Sequence, residues 1–150
     1  MIARAIAPAG TATLVTFRVA GQWLGLPVDA VQEVLTAQRL APVPLAPPET
    51  AGLLNLRGQI VTAVDLRIAL GEPARPVDDE RFDIVVRDDD ELFALAADAV
   101  GDVIAVEPDR FESLPTTLAP HWRAASAAAI RRDDDVLLVL DLGRVLRATE

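Results

Sequence analysis

The sequence predicts an all-β protein with a few short helices, built as two copies of one unit. Each copy is a small antiparallel barrel or curled sheet, and the two lie side by side. Three observations carry this reading. Short runs alternating between apolar and polar residues recur along the chain, punctuated by Gly, Pro and Asp. The landmarks of the first half return in the same order in the second, as Asp29 and Asp65 do in Asp98 and Asp141. And 51% of the 150 residues are apolar, enough to bury a sizeable interior.

The first stretch, 1–13, is rich in Ala, Pro and Gly and reads as a flexible arm. From Leu14 the residues Val15, Phe17 and Val19 share one parity, Ala20-Gly21-Gln22 makes a tight turn, and Leu24, Leu26 and Val28 line a returning strand. Residues 14–28 are therefore a β-hairpin. Asp29 suits a helix N-cap, with Gln32 completing a capping box, so a short helix is expected over 30–35. Its Val31, Val34 and Leu35 form an apolar stripe. Pro42, Pro44, Pro47 and Pro48 impose an extended connector.

Gly52 to Val64 reads as two strands flanking a turn at Asn55-Leu56-Arg57-Gly58. Asp65 caps a helix over 66–70, and Gly71 is placed to terminate it. After a linker carrying Pro and acidic residues, strands at 83–87 and 92–97 are joined by Asp88-Asp89-Asp90-Glu91.

The second half then repeats the first. Leu26, Asp29, Ala30, Val31 and Val34 correspond to Leu95, Asp98, Ala99, Val100 and Val103, and Asp65, Leu66 and Leu70 to Asp141, Leu142 and Leu146. The excess length of the second copy falls in 107–125, a Pro-rich loop holding His121. Repeat 1 spans about 14–76 and repeat 2 about 77–147, within one domain over 14–147. Neither half is large enough to be comfortable alone, so their join should be apolar, and a groove there is where a partner docks.

A net charge of −9 argues against phosphate-binding surfaces, and hence against nucleic acid, and disfavours an anionic membrane surface. No apolar run approaches the ~20 residues that cross a bilayer. The absence of cysteine and lysine removes disulfides, thiolate metal sites, thiol nucleophiles and Schiff-base chemistry. His121 has no second histidine to share a metal, and Ser113 and Ser126 lack the glycines of a nucleophile elbow. The acidic runs 78–80, 88–91 and 133–135 lack the alternating ligands and bend glycine of a calcium loop and read as solvated turns. No enzyme, cofactor or metal site is expected.

Arg57 stands apart. In a glycine-shaped turn its guanidinium either pairs with a nearby acid or meets a partner, and arginine's planar fork suits the second role. Val31, Val34, Val100 and Val103 either pack inside their own barrels or line a groove between the halves.

Together these residues resemble the CheW family of bacterial chemosensory adaptors. Gly52-Leu-Leu-Asn-Leu-Arg-Gly-Gln-Ile-Val, running into Val64-Asp65-Leu66-Arg67, is similar to that family's central signature. Val28–Val34 and Asp98–Val103 are similar to its first and second short helices. Thr62-Ala63 departs from it, where the family usually has a nearby proline, and the Asp-rich turn at 133–135 departs from a more glycine-containing one. The resemblance covers about Leu14 to Leu146. It implies two SH3-like five-stranded β-barrels with a hydrophobic groove between them.

It further implies a non-catalytic adaptor that couples the cytoplasmic tip of a methyl-accepting chemoreceptor to the regulatory domain of the histidine kinase CheA. The chain would then be cytoplasmic, held at membrane-associated receptor arrays through its partners. The residues carried over as receptor-facing are Val31, Glu33, Val34, Asn55, Leu56, Arg57, Gly58 and Val100. The alternatives are a same-family adaptor for twitching, gliding or another output, or a small-ligand-binding β-barrel module. The Val64–Leu66 end of the central segment recurs as scaffold. Asn55–Gly58 does not, since Arg131-Arg132-Asp133-Asp134 stands in its place, so binding is expected in the unrepeated residues.

Overall fold

A computed structural model describes residues 8–76 and 79–147. Two strands, β1 (Ala12–Val19) and β2 (Gln22–Pro27), form the predicted hairpin, in register from Leu14 opposite Pro27 to Val19 opposite Gln22. The first strand begins two residues before its predicted start, so only 8–11 of the described residues precede it; 1–7 lie outside them. Its turn, Ala20-Gly21, has φ values of 51° and 81°, the pair of positive angles that a two-residue type I′ connection needs.

The helix expected over 30–35 is a strand. Only Val28–Ala30 turns, as a 3₁₀ helix in which Asp29 makes no capping bond, and β3 (Val31–Thr36) follows directly. The i, i+3, i+4 stripe misled because β-branched valines at 31 and 34 serve a strand equally well. The second copy corrects in the same way: after Asp98 the chain runs straight into a strand over Ala99–Val106.

The central segment folds as β4 (Thr50–Leu56) and β5 (Gln59–Asp65). Ala41, in the proline connector, exchanges backbone hydrogen bonds with Leu53 at 2.7 and 2.8 Å. Asp65 accepts the Arg67 N–H at 3.1 Å and opens helix α1 (Leu66–Ala69), after which Gly71 turns the chain at φ +79°. Two further strands, β6 (Phe82–Asp88) and β7 (Glu91–Ala97), are joined through Asp89-Asp90, again with positive φ at both residues. The 99–106 strand is β8. The stretch read as a Pro-rich loop holds a two-residue β9 (Phe111–Glu112) and helix α2 (Pro120–Ala125), so His121 is helical. The chain closes with β10 (Ser126–Arg131), β11 (Val136–Leu140) and α3 (Leu142–Arg147).

The sheets do not follow the repeats. One has the order β8-β1-β2-β11-β10-β9, the other β3-β6-β7-β5-β4. Each repeat contributes its first hairpin to the sheet that the other repeat completes. The exchanged hairpins dock through parallel pairs, β2 on β11 and β7 on β5, so neither sheet is purely antiparallel. Apart from β9, the two orders are identical once the repeats are superposed, which is the strongest structural sign of duplication.

Three apolar clusters result. Leu14, Val106, Phe111, Ile130, Leu137 and Val139 fill one barrel. Leu54, Leu56, Val61, Val85, Leu92 and Ala94 fill the other. The largest lies between them, where Phe17, Val19, Leu24 and Leu26 from one sheet meet Val64, Ile84, Val86 and Leu95 from the other. The join is therefore apolar, as expected, and it is the main core of the molecule.

The chain crosses between sheets twice, through 28–30 and through Asp98. At the second crossing the Asp98 N–H donates to the Arg18 carbonyl at 2.9 Å, and its carboxylate accepts the Ala20 N–H at 2.7 Å. Arg67 donates to the same carboxylate from Nε at 3.1 Å and Nη2 at 2.8 Å, and Arg75 from Nε at 2.7 Å.

Candidate functional site

The unrepeated residues form the tip of the β4–β5 hairpin. Leu56 and Gln59 close the ladder, leaving Arg57-Gly58 as a two-residue loop with φ values of 51° and 88°. Asn55 supports it, its Oδ1 accepting the Gly58 N–H at 2.8 Å, the local bond by which Asx residues stabilise turns. Leu56 is buried, 8% exposed, and anchors the tip in the barrel core. Arg57 must occupy the left-handed region, which costs an L-residue with a Cβ about 1–2 kcal/mol. Asparagine or aspartate would fit more comfortably there.

The guanidinium thus held reaches β3. Arg57 Nη1 donates to Glu33 Oε1 at 3.0 Å and Nη2 to Oε2 at 2.7 Å, a bidentate pair. Strands β3 and β4 are the two edges of the five-stranded sheet, so the pair spans the barrel seam. The hydrogen bonds from Arg57 hold the Glu33 carboxyl below its usual range, and Glu33 raises the Arg57 guanidinium. The side chain of Arg57 is 65% exposed, so the pair remains open to a partner.

Structure therefore brings together Glu33, Asn55, Leu56, Arg57 and Gly58. Of the two readings of Arg57, the intramolecular pair is formed, and its exposure is compatible with the second. Val31 packs against the central core opposite Val86, whereas Leu35 packs into the barrel; the bulge between Val31 and Glu33 reverses the alternation. Val34 is exposed opposite Ile84. Val100 is separate: it lies on β8 of the other sheet, opposite Phe17 and part-buried.

Sequence reasoning left a pair between Arg57 and a nearby acid open without naming Glu33 as that acid, and it missed the second arrangement, Asp98 with Arg67 and Arg75. The second had a legible signal, because Arg67 aligns with Gly143 in the repeat and so is not part of the shared scaffold. Among the described residues no group of three or more His, Asp or Glu side chains could hold a metal. No described helix is long and apolar enough to cross a membrane.

The CheW-like domain family model matches residues 13–150. The chain belongs to this family. It is 26% identical to the chemotaxis protein CheW of Treponema pallidum over 141 residues, covering 91% of this chain and 83% of that protein. It is 26% identical to Bacillus subtilis CheW, covering 89% and 85%. The crystal structure of the scaffolding protein CheW from Thermoanaerobacter tengcongensis superposes with a TM-score of 0.78 at 25% identity, covering 87% of this chain and 88% of that one. The two-barrel architecture is thus the CheW fold, and the function that goes with it is that of a non-catalytic coupling adaptor in chemosensory signalling.

Proposed function

We propose that this chain joins the cytoplasmic tip of a chemoreceptor to the regulatory domain of the histidine kinase CheA, performing no chemistry of its own and working in the cytoplasm at receptor arrays. The receptor contact uses Glu33, Asn55, Leu56, Arg57 and Gly58 at the barrel seam, with Val31, Val34 and Val100 supplying apolar surface. The observation that supports this reading most is the strained, exposed Arg57, paired bidentately across the seam at the tip of a turn whose sequence the second repeat does not copy.

An exposed pair of this kind adds little stability, because solvent screens it and ordering two long side chains costs entropy. A presented, pre-oriented guanidinium is what an interface anchor requires. The adaptor acts by binding one arrangement of its partners better than another, and so shifts a population.

The test is co-sedimentation of receptor fragment and kinase with Arg57→Asp. Receptor capture should fall at least roughly tenfold, the loss of one interface hot spot, while circular dichroism stays that of the parent. Unchanged capture by a folded Arg57→Asp protein would sink the assignment of these residues.

A further inference from the structure

We propose that Asp98, Arg67 and Arg75 form a one-sided clamp that fixes the angle between the two barrels, making Arg67 a positioning residue for any partner that touches both. This rests on the adaptor reading above.

Only two stretches carry the chain from one sheet to the other, and repeat symmetry makes Asp29 in the first the counterpart of Asp98 in the second. At Asp98 four separate elements converge. They are the β7–β8 junction itself, the β1–β2 turn through the Ala20 N–H, α1 through Arg67, and the linker before β6 through Arg75. The β1–β2 turn belongs to the six-stranded sheet and α1 follows directly from the five-stranded one, so the carboxylate bridges the barrels. The side chains of Arg75, Asp98 and Arg67 are 8%, 15% and 20% exposed, which puts their interaction in a less screened setting than a surface pair.

Among the described residues nothing equivalent holds the first crossing. Asp29 is exposed, and among the described residues it caps nothing and has no ion-pair partner. The counterpart of Arg67 is Gly143, which cannot reach any carboxylate. A duplicated fold tied at one crossing and untied at the other has a built-in direction of opening, about the Asp98 side and toward Asp29. That movement loosens Val28, which is 40% exposed, and the adjoining Val31, a residue proposed to face the receptor. The side chain two residues beyond Asp98 is Val100, the single proposed contact on the opposite barrel. The clamp therefore sets the relation between contacts on the two barrels without touching the partner.

The experiment uses the full chain, which has no cysteine, with spin labels at Glu91→Cys on one barrel and Asp134→Cys on the other. Pulsed dipolar spectroscopy should give a narrow distance distribution for the parent and a clearly wider one for Asp98→Asn and for Arg67→Gln. Arg67→Gln keeps Asp98 bonded to Arg75 and Ala20, so it reports even where Asp98→Asn fails to fold. Glu33→Gln breaks an ion pair within one barrel and should leave the distribution unchanged. Affinity for a receptor fragment should fall roughly tenfold in Arg67→Gln, a usual size for coupling between separate sites. Arg67→Lys, which keeps the charge but not the fork, should be intermediate. Distributions unchanged in both clamp variants, or widened equally by Glu33→Gln, overturn the clamp. A parent that binds no receptor fragment overturns the functional reading instead, and the distance measurement still decides the clamp.

Discussion

Asp98 shows how one carboxylate can tie pH to stability. Burial opposes its ionisation, but hydrogen bonds from Arg67, the Ala20 N–H and Arg75 outweigh burial and hold the carboxyl below its ordinary value. A group whose folded pKa is depressed contributes stability above its unfolded pKa, near 3.9, and loses it as pH falls through the folded value. The destabilisation caused by Asp98→Asn should therefore be full at pH 6 and shrink steadily below about pH 4, measured by urea denaturation of both proteins at each pH. A gap that stays constant down to pH 2.5 would mean that the carboxylate's charge is not what stabilises the fold. Gly71 makes a second residue-scale case. At φ +79° it ends α1, and a Cβ there would stand 2.8 Å from His121 Cγ. Gly71→Ala should cost about 2 kcal/mol, combining the left-handed backbone with the clash. In a His121→Ala background, which removes the ring and leaves only the Cβ at 3.1 Å, the cost should fall toward the backbone part, about 1 kcal/mol. Equal costs in both backgrounds would show that the lone histidine does not press on this turn.

Turn chemistry decides which hairpin carries function. Three two-residue connections, at Ala20-Gly21, Arg57-Gly58 and Asp89-Asp90, place positive φ at both central residues. Only the second puts a long cation in the strained position. Arg57→Asn should relax it, since asparagine is the favoured residue there, and raise the thermal midpoint while lowering receptor capture. A midpoint that falls would show that the Glu33 pair outweighs the strain, and capture that holds would remove the functional reason for an arginine. The hairpins were legible in the sequence because period-2 alternation and turn residues are local signals, as in Val15, Phe17 and Val19 beside Ala20-Gly21. The 28–36 element was not. Asp29 and Gln32 mimic a capping box, and only the pairing of β3 with β6, distant in sequence, overrides it. The candidate site was half legible: Asn55 to Gly58 stood out as the unrepeated turn. Glu33 was named only through the family resemblance, and its pairing with Arg57 was not read, because an ion pair across a barrel seam depends on closure that no short-range pattern encodes.

Exchange of hairpins is what makes the two barrels one molecule. With the repeats divided near 76, as the sequence suggests, β1 and β2 sit between β8 and β11, and β6 and β7 between β3 and β5. Cutting the chain at the repeat boundary would strip each sheet of its exchanged hairpin and expose the central core formed by Phe17, Leu24, Val64, Ile84 and Leu95. A unit of that size buries too little apolar surface to remain folded after such a loss. Separately expressed 1–76 and 77–150 should therefore each give the poorly dispersed amide spectrum of an unfolded chain. Mixed together, they should recover native dispersion, because each supplies the hairpin the other lacks. The intact chain should unfold in a single transition, with Trp23 beside one barrel and Trp122 in the central core reporting the same midpoint. Either fragment folding alone, or two separated midpoints, would show that each barrel is stable without its exchanged strands. The clamp at Asp98 would then join two independent bodies and would not brace one continuous fold.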